Sequence, residues 1–244
     1  MLSPAVFRLV VFYRPLHRLS KAFFADSLFF WDERGMSMRD REERVVVYID
    51  GFNLYYGIRE TLGSKYLWLD LASLSPRLLR PDQRLVTIKY FTARMRKPPE
   101  KRKRQSDYLE AVGSTIQVEI LYGRYQRSLV ECRICRRPYV TYTEKMTDVR
   151  MAVELLGDVC TNLMNTALIV TGDADLVPAI EKVKSLFPDK RVEVAFPPGR
   201  EHNALKSVAS AYIVIGEDRL LSSQFPEQVP KADGFVLTRP TAWT

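Results

Sequence analysis

Two aspartates stand directly after apolar stretches of the chain. Asp50 follows "VVVYI" at 45–49, and Asp173 follows "TALIVTG" at 166–172. Parallel strands that are buried on both faces have this composition, and their carboxyl ends meet at one edge of a sheet. If the two strands are neighbours, the two carboxylates lie a few ångströms apart. Like charges at about 4 Å repel by roughly 4 kcal/mol at an effective dielectric of 20, so a proton or a cation must offset that cost.

Two further acids, Asp148 and Asp175, have spacings that allow either a structural or a chemical role. Asp148 opens the longest helical pattern, where an acid in the first turn is favourable. Asp175 precedes Leu176 and could cap the helix that begins there. Carboxylates without convergent His or Cys favour Mg²⁺ or Mn²⁺ over zinc. A cation held in this way in a basic protein is typical of phosphodiester hydrolysis.

The elements that must position these acids alternate from residue 44 onward. Strand patterns lie at 45–49, 84–94, 115–126, 166–172, 191–196 and 212–216, and helical patterns at 54–62, 71–79, about 99–112, 149–163, 176–187 and 204–209. Such alternation predicts a mostly parallel sheet with helices on both faces. We therefore predict a single doubly wound, three-layer α/β domain, with the acids where the strand order reverses.

Composition and charge narrow the functional class. The 244 residues are 46% hydrophobic and 27% charged, which is ordinary for a soluble globular protein. Lys and Arg outnumber Asp and Glu by 37 to 29, and a net charge of +8 favours a polyanionic partner, usually nucleic acid. Three cysteines, an odd number, argue against a secreted disulfide framework and favour a cytoplasmic location. No apolar run approaches the roughly 20 residues of a membrane-spanning helix.

The chain divides into three parts by composition. Residues 1–43 read as an N-terminal extension that is aromatic and basic. We expect it to have no folded role, with a targeting or membrane-surface segment and a helix packed on the domain as alternatives, and Met36 or Met38 could be the true start. Residues 44–217 carry the site. The tail is residues 218–244, and its Pro-rich part after Ser222 is expected to be loosely ordered.

Three sequence blocks carry a family resemblance. "YIDGFNLYYG", "EKMTDVRMAVELL" and "TALIVTGDADLVPAIEKV" resemble the signatures of the NYN-domain family, a branch of the PIN-like nucleases. The later "KRVEVAFPPG" and "LKSVASAYIVI" are also similar, so the resemblance spans about residues 44–217. It implies RNA cleavage that depends on Mg²⁺ or Mn²⁺, on a sheet whose first and fourth strands are adjacent.

The resemblance also implies roles for particular positions. By matching position, the metal ligands are Asp50, Asp148 and Asp173. Asp175 supports them, and Asn53 lies near the scissile phosphate. Thr171 stands where serine is common in the family, and its hydroxyl could bond a phosphate or an acid.

A basic run follows the second predicted strand. "RMRKPPEKRKR" at 94–104 has seven basic residues and one acid, and its position predicts the same rim as the acids. Each cation there would add to a sequence-independent affinity for phosphate. A solvated, mobile charge run is the alternative. With Asn53 and Thr171, the predicted RNA contacts are Arg94, Arg96, Lys97, Lys101, Arg102, Lys103 and Arg104.

The stretch "ECRICRRPY" holds half of a possible zinc site, in a loop at 127–145. Cys132 and Cys135 have the spacing of a zinc knuckle, which needs two more ligands. Cys160 falls on an apolar helix face and is predicted to lie in the core, and a lone His202 is expected to have no catalytic role. Two knuckles in a homodimer could make a four-cysteine Zn²⁺ site, and a reduced loop is the alternative.

Together these patterns predict a metal-dependent ribonuclease. A second hypothesis is an RNA-binding or regulatory module whose nuclease site is slow or silent. A phosphatase of the haloacid dehalogenase type is suggested by "TGDAD", but it needs a second Asp two residues after the first-strand Asp. Phe52 occupies that position, which argues against this chemistry.

Overall fold

The computed structural model describes residues 42–95, 98–115 and 117–244. The predictions for Arg96, Lys97 and residues 1–41 therefore lie outside the described residues. The strands in chain order are β1 (Glu43–Asp50), β2 (Gln83–Thr92), β3 (Val118–Tyr122), β4 (Arg124–Glu131), β5 (Pro138–Lys145), β6 (Thr166–Val170), β7 (Arg191–Phe196), β8 (Ala211–Val214), β9 (Gln228–Pro230) and β10 (Val236–Thr238). Six of them form one parallel sheet in the order β3-β2-β1-β6-β7-β8, which confirms the predicted α/β class.

Helices connect the strands of this sheet. They are α1 (Gly51–Thr61), α2 (Leu71–Leu74), α3 (Pro99–Gly113), α4 (Thr147–Cys160), α5 (Val177–Leu186), α6 (Asn203–Val208) and α7 (Glu217–Leu221). The helix predicted at 71–79 is shorter, because α2 passes into a 3₁₀ turn at Ser75–Leu78. Pro76 lacks the backbone N–H that a continuing α-helix would use there. None of the described helices is both long and apolar enough to cross a membrane.

The sheet separates two apolar cores. Along β1, Val45, Val47 and Ile49 face the core built with α1, α2 and α3. Val46 and Tyr48 face the opposite core, built with α4, α5 and α6. All five side chains are fully buried. Both faces of the central strand are therefore covered, which is why its sequence is a continuous apolar run rather than an alternation.

The segment between β3 and α4 differs from the prediction. The sequence pattern extended the third strand to residue 126 and placed a loop at 127–145. In the structure β3 ends at Tyr122, and β4 and β5 pair as a separate antiparallel hairpin. Many of its described side chains are exposed, so no buried face marked these strands in the sequence.

Two further predictions about burial are wrong. Cys160 is exposed, because α4 buries the stripe that contains Met151 and Leu155 and turns Cys160 away from it. The tail after Ser222, predicted to be loosely ordered, forms the β9–β10 hairpin and a 3₁₀ turn at Thr241–Trp243. Its Trp243 is only 6% exposed and packs against Trp68 and Tyr108, with ring centroids 6.3 and 5.9 Å away.

Candidate active site

The candidate site lies where the strand order reverses. From β1 the chain adds β2 and β3 on one side, and later β6, β7 and β8 on the other. β1 and β6 pair in parallel, with Ile49 opposite Val170, so the first and fourth strands of the predicted pattern are adjacent as expected. A crevice at the carboxyl ends of such strands is the usual ligand site of doubly wound sheets.

Asp50 ends β1 and caps α1. Its Oδ1 accepts hydrogen bonds from the backbone N–H groups of Phe52 (3.1 Å) and Asn53 (3.0 Å). The turn between strand and helix requires Gly51, because a Cβ there would lie 2.7 Å from the carbonyl oxygen of Phe91. The sequence Asp-Gly-x-Asn therefore fixes a carboxylate at the edge of the sheet and starts a helix in one step.

Burial perturbs the Asp50 carboxyl strongly. The residue is only 5% exposed. Burial raises its pKa to about 6, and the negative charges of Asp148 and Asp173 add to this rise. Hydrogen bonds from the N–H of Asn53 and the hydroxyl of Thr171 oppose the rise without cancelling it. The site thus holds a buried acid whose charge is unfavourable until a positive charge arrives.

The hydroxyl of Thr171 joins the ends of the two strands. It donates to Asp50 Oδ2 at 3.1 Å and accepts the backbone N–H of Asp173 at 3.1 Å. Across the same crevice, Asn53 Oδ1 accepts the backbone N–H of Gly172 at 2.9 Å. Thr171 therefore contacts an acid, which is one of the two roles predicted for it.

The turn after β6 corrects one sequence prediction. Asp173, rather than Asp175, caps the helical turn at Ala174–Leu176, since its Oδ1 accepts the backbone N–H of Asp175 at 3.0 Å. Gly172 allows this turn to pass the backbone of Arg200, because a Cβ at Gly172 would lie 2.0 Å from the Arg200 carbonyl oxygen.

Three acids converge in front of Asp50. The carboxylates of Asp148, Asp173 and Asp175 each offer an oxygen, and these oxygens lie within 4.8 Å of one another. Asp148 and Asp173 are half-buried and Asp175 is exposed. Two of the three predicted metal ligands are therefore together. Asp175 completes the convergent set. Asp50 is close enough to Asp148 and Asp173 for their charges to raise its pKa.

The position of Asp148 depends on α4, which a buried polar network ties to the sheet. On β2, Lys89 Nζ lies 2.8 Å from Glu154 Oε2 and 2.7 Å from Asp158 Oδ2. The hydroxyl of Tyr48 on β1 donates to Asp158 Oδ2 at 2.6 Å. Burial lowers the pKa of Lys89, but the bonds to these two carboxylates outweigh it and leave the pKa raised. Sequence reasoning missed Lys89, although a lysine inside "VTIKYF" was a signal for a buried partner.

The basic run lies partly in a helix. Lys101, Arg102 and Lys103 are exposed on α3, and Arg104 is half-buried. Arg94 is exposed just after β2, with its guanidinium 4.8 Å from the centroid of the Tyr122 ring. The cations are thus presented from ordered backbone at the carboxyl end of β2.

The two knuckle cysteines lie away from the sheet, at the tip of the β4–β5 hairpin. Hydrogen bonds from the backbone N–H groups of Cys135 and Ile134 lower the pKa of the Cys132 thiol. Among the described residues, Asp148, Asp173 and Asp175 are the one group of three or more His, Cys, Asp or Glu side chains that is placed to share a metal. The Zn²⁺ prediction at Cys132 and Cys135 therefore stays a prediction. His202 caps α6, since its Nδ1 accepts the N–H of Ala204 at 3.3 Å.

The chain is similar to known proteins in both sequence and fold. The family model described as NYN domain matches residues 44–216. The chain is 26% identical over 240 residues to the 6-hydroxy-3-succinoylpyridine 3-monooxygenase HspA of Pseudomonas putida, covering 82% of this chain and 75% of that protein. A crystal structure of a Vibrio parahaemolyticus protein of unknown function shares the fold. Its TM-score is 0.52 at 20% identity, covering 73% of this chain and 96% of that one.

Proposed function

The chain belongs to the NYN-domain family, and we propose from that premise that it hydrolyses RNA phosphodiester bonds with the help of a divalent cation. The observation that carries this proposal is the convergence of Asp148, Asp173 and Asp175 in front of the buried Asp50. Asp50 and the Asp173–Asp175 turn follow the adjacent strands β1 and β6, and α4 adds Asp148. The four carboxylates repel one another, and a cation offsets that repulsion.

The donor set fits a hard cation. Asp148, Asp173 and Asp175 offer only carboxylate oxygens, which suit Mg²⁺ or Mn²⁺. These three acids would hold the ion, with Asp50 as the fourth carboxylate. Such an ion supplies neutralisation of charge at the phosphate and activation of the attacking water.

The chain's own polar groups position the acids and the substrate. Thr171 holds the orientation of Asp50 and the turn that carries Asp173. Because Asn53 Oδ1 already accepts from Gly172, its Nδ2 donors are the part of the amide that can contact a phosphate oxygen. Asn53 thus acts as a substrate contact whose orientation is set by the protein backbone.

The cations of the rim bind the RNA backbone. Arg94 and the exposed residues of α3 lie at the carboxyl end of β2, the neighbour of β1 in the sheet. Contacts of this kind bind phosphates without reading the bases, and they weaken as salt rises. RNA affinity should therefore fall steeply with ionic strength.

The test is cleavage of a labelled single-stranded RNA by the full chain, with Mn²⁺ and Mg²⁺ titrated. The variant is Asp173→Asn, in which the amide oxygen can still cap the helical turn. Asp189→Asn, at an exposed position, is the matched control. We expect metal-dependent cleavage that is lost in the first variant and kept in the second. RNA binding without cleavage by the wild-type protein would contradict the proposal and favour the RNA-binding module.

A second candidate function is oxygenation of a small aromatic acid. The Pseudomonas putida relative is named as a monooxygenase of 6-hydroxy-3-succinoylpyridine, and a cavity of about 90 Å³ with aromatic walls opens beside α1. Transfer of one oxygen atom from O₂ to the ring requires a two-electron donor, which reduces the other atom to water. Oxygen uptake that needs both this compound and a reductant would support the second candidate, and cleavage of RNA without such uptake would exclude it.

A further inference from the structure

The cavity beside α1 lies between α1, the end of β2, α3 and the tail. We propose that this cavity, here called the ring pocket, binds a planar heteroaromatic ring that carries an anionic group. In the RNA reaction this ligand is a nucleotide next to the scissile phosphate, so that assignment rests on the proposed function.

The ring pocket adjoins the acids. Gly51 and Phe52, which directly follow Asp50, line it, as does Thr92 at the end of β2. Phe52 is half-buried, and its ring also meets that of Tyr125 edge to face, with centroids 6.0 Å apart. A ligand that spans the pocket mouth therefore reaches the carboxyl edge of the sheet where the acids converge.

Aromatic side chains form the walls of the ring pocket. Tyr55 and Tyr56 meet at a centroid distance of 5.2 Å near the opening, and Tyr56 is 39% exposed. Tyr108 and Trp243 lie deeper, and the hydroxyl of Tyr108 is fixed by donation to the carbonyl of Leu69 at 3.0 Å. The volume of about 90 Å³ is several times what one water needs. Such π-faces bind any flat base by stacking.

The rim of the ring pocket is cationic. Arg59, Lys101 and Arg104 line it, and no acidic side chain of the described residues does. Within the described parts of the chain, none of these three cations has a carboxylate within ion-pair distance, whereas Lys103 pairs with Asp107 at 2.8 Å. Lys101 and Arg104 are three residues apart on α3 and so share one face of the helix. The pocket therefore selects an anion attached to its ring.

The α3 wall of the ring pocket, which carries Lys101 and Arg104, is held in place by Gln105. Its Oε1 accepts the backbone N–H of Met95 at 2.7 Å, and its Nε2 donates to the carbonyl of Ala93 at 3.0 Å. Both polar ends of this amide are thus hydrogen-bonded to the backbone just after β2. The pocket is preformed, which reduces the ordering cost of binding.

The test measures binding in EDTA, so that hydrolysis plays no part. The probes are a labelled five-nucleotide oligouridylate, the same chain with abasic sugars, and 6-hydroxy-3-succinoylpyridine. The variants of the full chain are Tyr56→Ala and Lys101→Ala. The matched control is Lys182→Ala, at an exposed position on α5, which packs on the other face of the sheet. We expect about a ten-fold loss of oligouridylate affinity in Tyr56→Ala, within the range of one base–aromatic stack, and little change for the abasic chain. Lys101→Ala should weaken binding, and Lys182→Ala should leave it unchanged.

The outcomes separate the ligand sources and the two proposals. If Tyr56→Ala weakens the pyridine acid and leaves oligouridylate unchanged, the pocket serves a free aromatic acid. Unchanged binding of both ring ligands in both variants overturns the ring pocket. Metal-dependent cleavage of RNA by the wild-type protein would then leave the nuclease proposal intact. Conversely, a Tyr56 effect in a protein that cleaves no RNA keeps the pocket and removes the nuclease.

Discussion

Replacement of Asp50 by Asn should stabilise the metal-free protein at neutral pH. The folded pKa of this carboxyl is about 6 against an ordinary value of 3.8. A difference of that size corresponds to about 3 kcal/mol once the group is ionised in both states. Because the folded pKa is raised, the protein is most stable below pH 3.8, where this carboxyl is neutral in both states. That stability is lost as the pH rises through about 6 and the buried carboxyl ionises. Asn removes the charge and keeps an oxygen for the capping bonds, and its NH₂ group replaces the Oδ2 that accepts the hydroxyl of Thr171.

The assay is urea unfolding in EDTA at pH 7.5 and pH 4.5, with Asp189→Asn as the exposed control. Asp50→Asn should exceed the wild type by up to about 3 kcal/mol at pH 7.5, and by only about 1 kcal/mol at pH 4.5. Added Mn²⁺ should stabilise the wild type more than the variant, while RNA cleavage is lost in the variant. A variant that is no more stable than the wild type at pH 7.5 in EDTA would refute the view that this buried charge is unfavourable.

Three other substitutions test how the site is held. Lys89→Met leaves Glu154 and Asp158 without their cation and should lower the free energy of unfolding in urea by about 3–5 kcal/mol. A loss below about 1 kcal/mol would show that the polar network is not needed for stability. Gly172→Ala should lower the free energy of unfolding by about 1–3 kcal/mol and abolish cleavage, because its Cβ meets the Arg200 carbonyl. Gly157→Ala, in open space on α4, should be neutral or stabilising, and equal effects of the two substitutions would contradict this reasoning. Thr171→Val should destabilise by about 1–3 kcal/mol and weaken Mn²⁺ binding, and Thr171→Ser should restore both, which a purely steric role would not predict.

The sheet and the positions of the acids could be predicted because they rest on local patterns. A strand buried on both faces needs a continuous apolar run, and "VVVYI" and "TALIV" meet that need. The residue after such a run is at the sheet edge whatever the rest of the fold does. The adjacency of β1 and β6 is different, because it depends on strand order, and only the family resemblance implied it.

Features that depend on distant contacts could not be predicted. Trp243 is buried by Trp68 and Tyr108, which are far away in the sequence, so no local pattern distinguishes it from an exposed tail residue. On α4, Val149 and Val153 are apolar yet 67% and 62% exposed, so the apolar periodicity marked more helix surface than the core covers. Cys160 was misplaced for the same reason. The ring pocket is assembled from five separate segments, and sequence periodicity does not show such a juxtaposition.

The strand order also divides the sheet into two halves, and each half comes from one continuous part of the chain. Residues up to 131 supply β1, β2, β3 and Asp50, and residues from 138 supply β6, β7, β8 and the three convergent acids. The turn between these ranges is exposed at the tip of the hairpin. A break there yields two fragments that meet along the β1–β6 seam and through the packing of Trp243 on Trp68. All four carboxylates come together only on reassembly, so the fold is suited to a split reporter whose signal is fragment association.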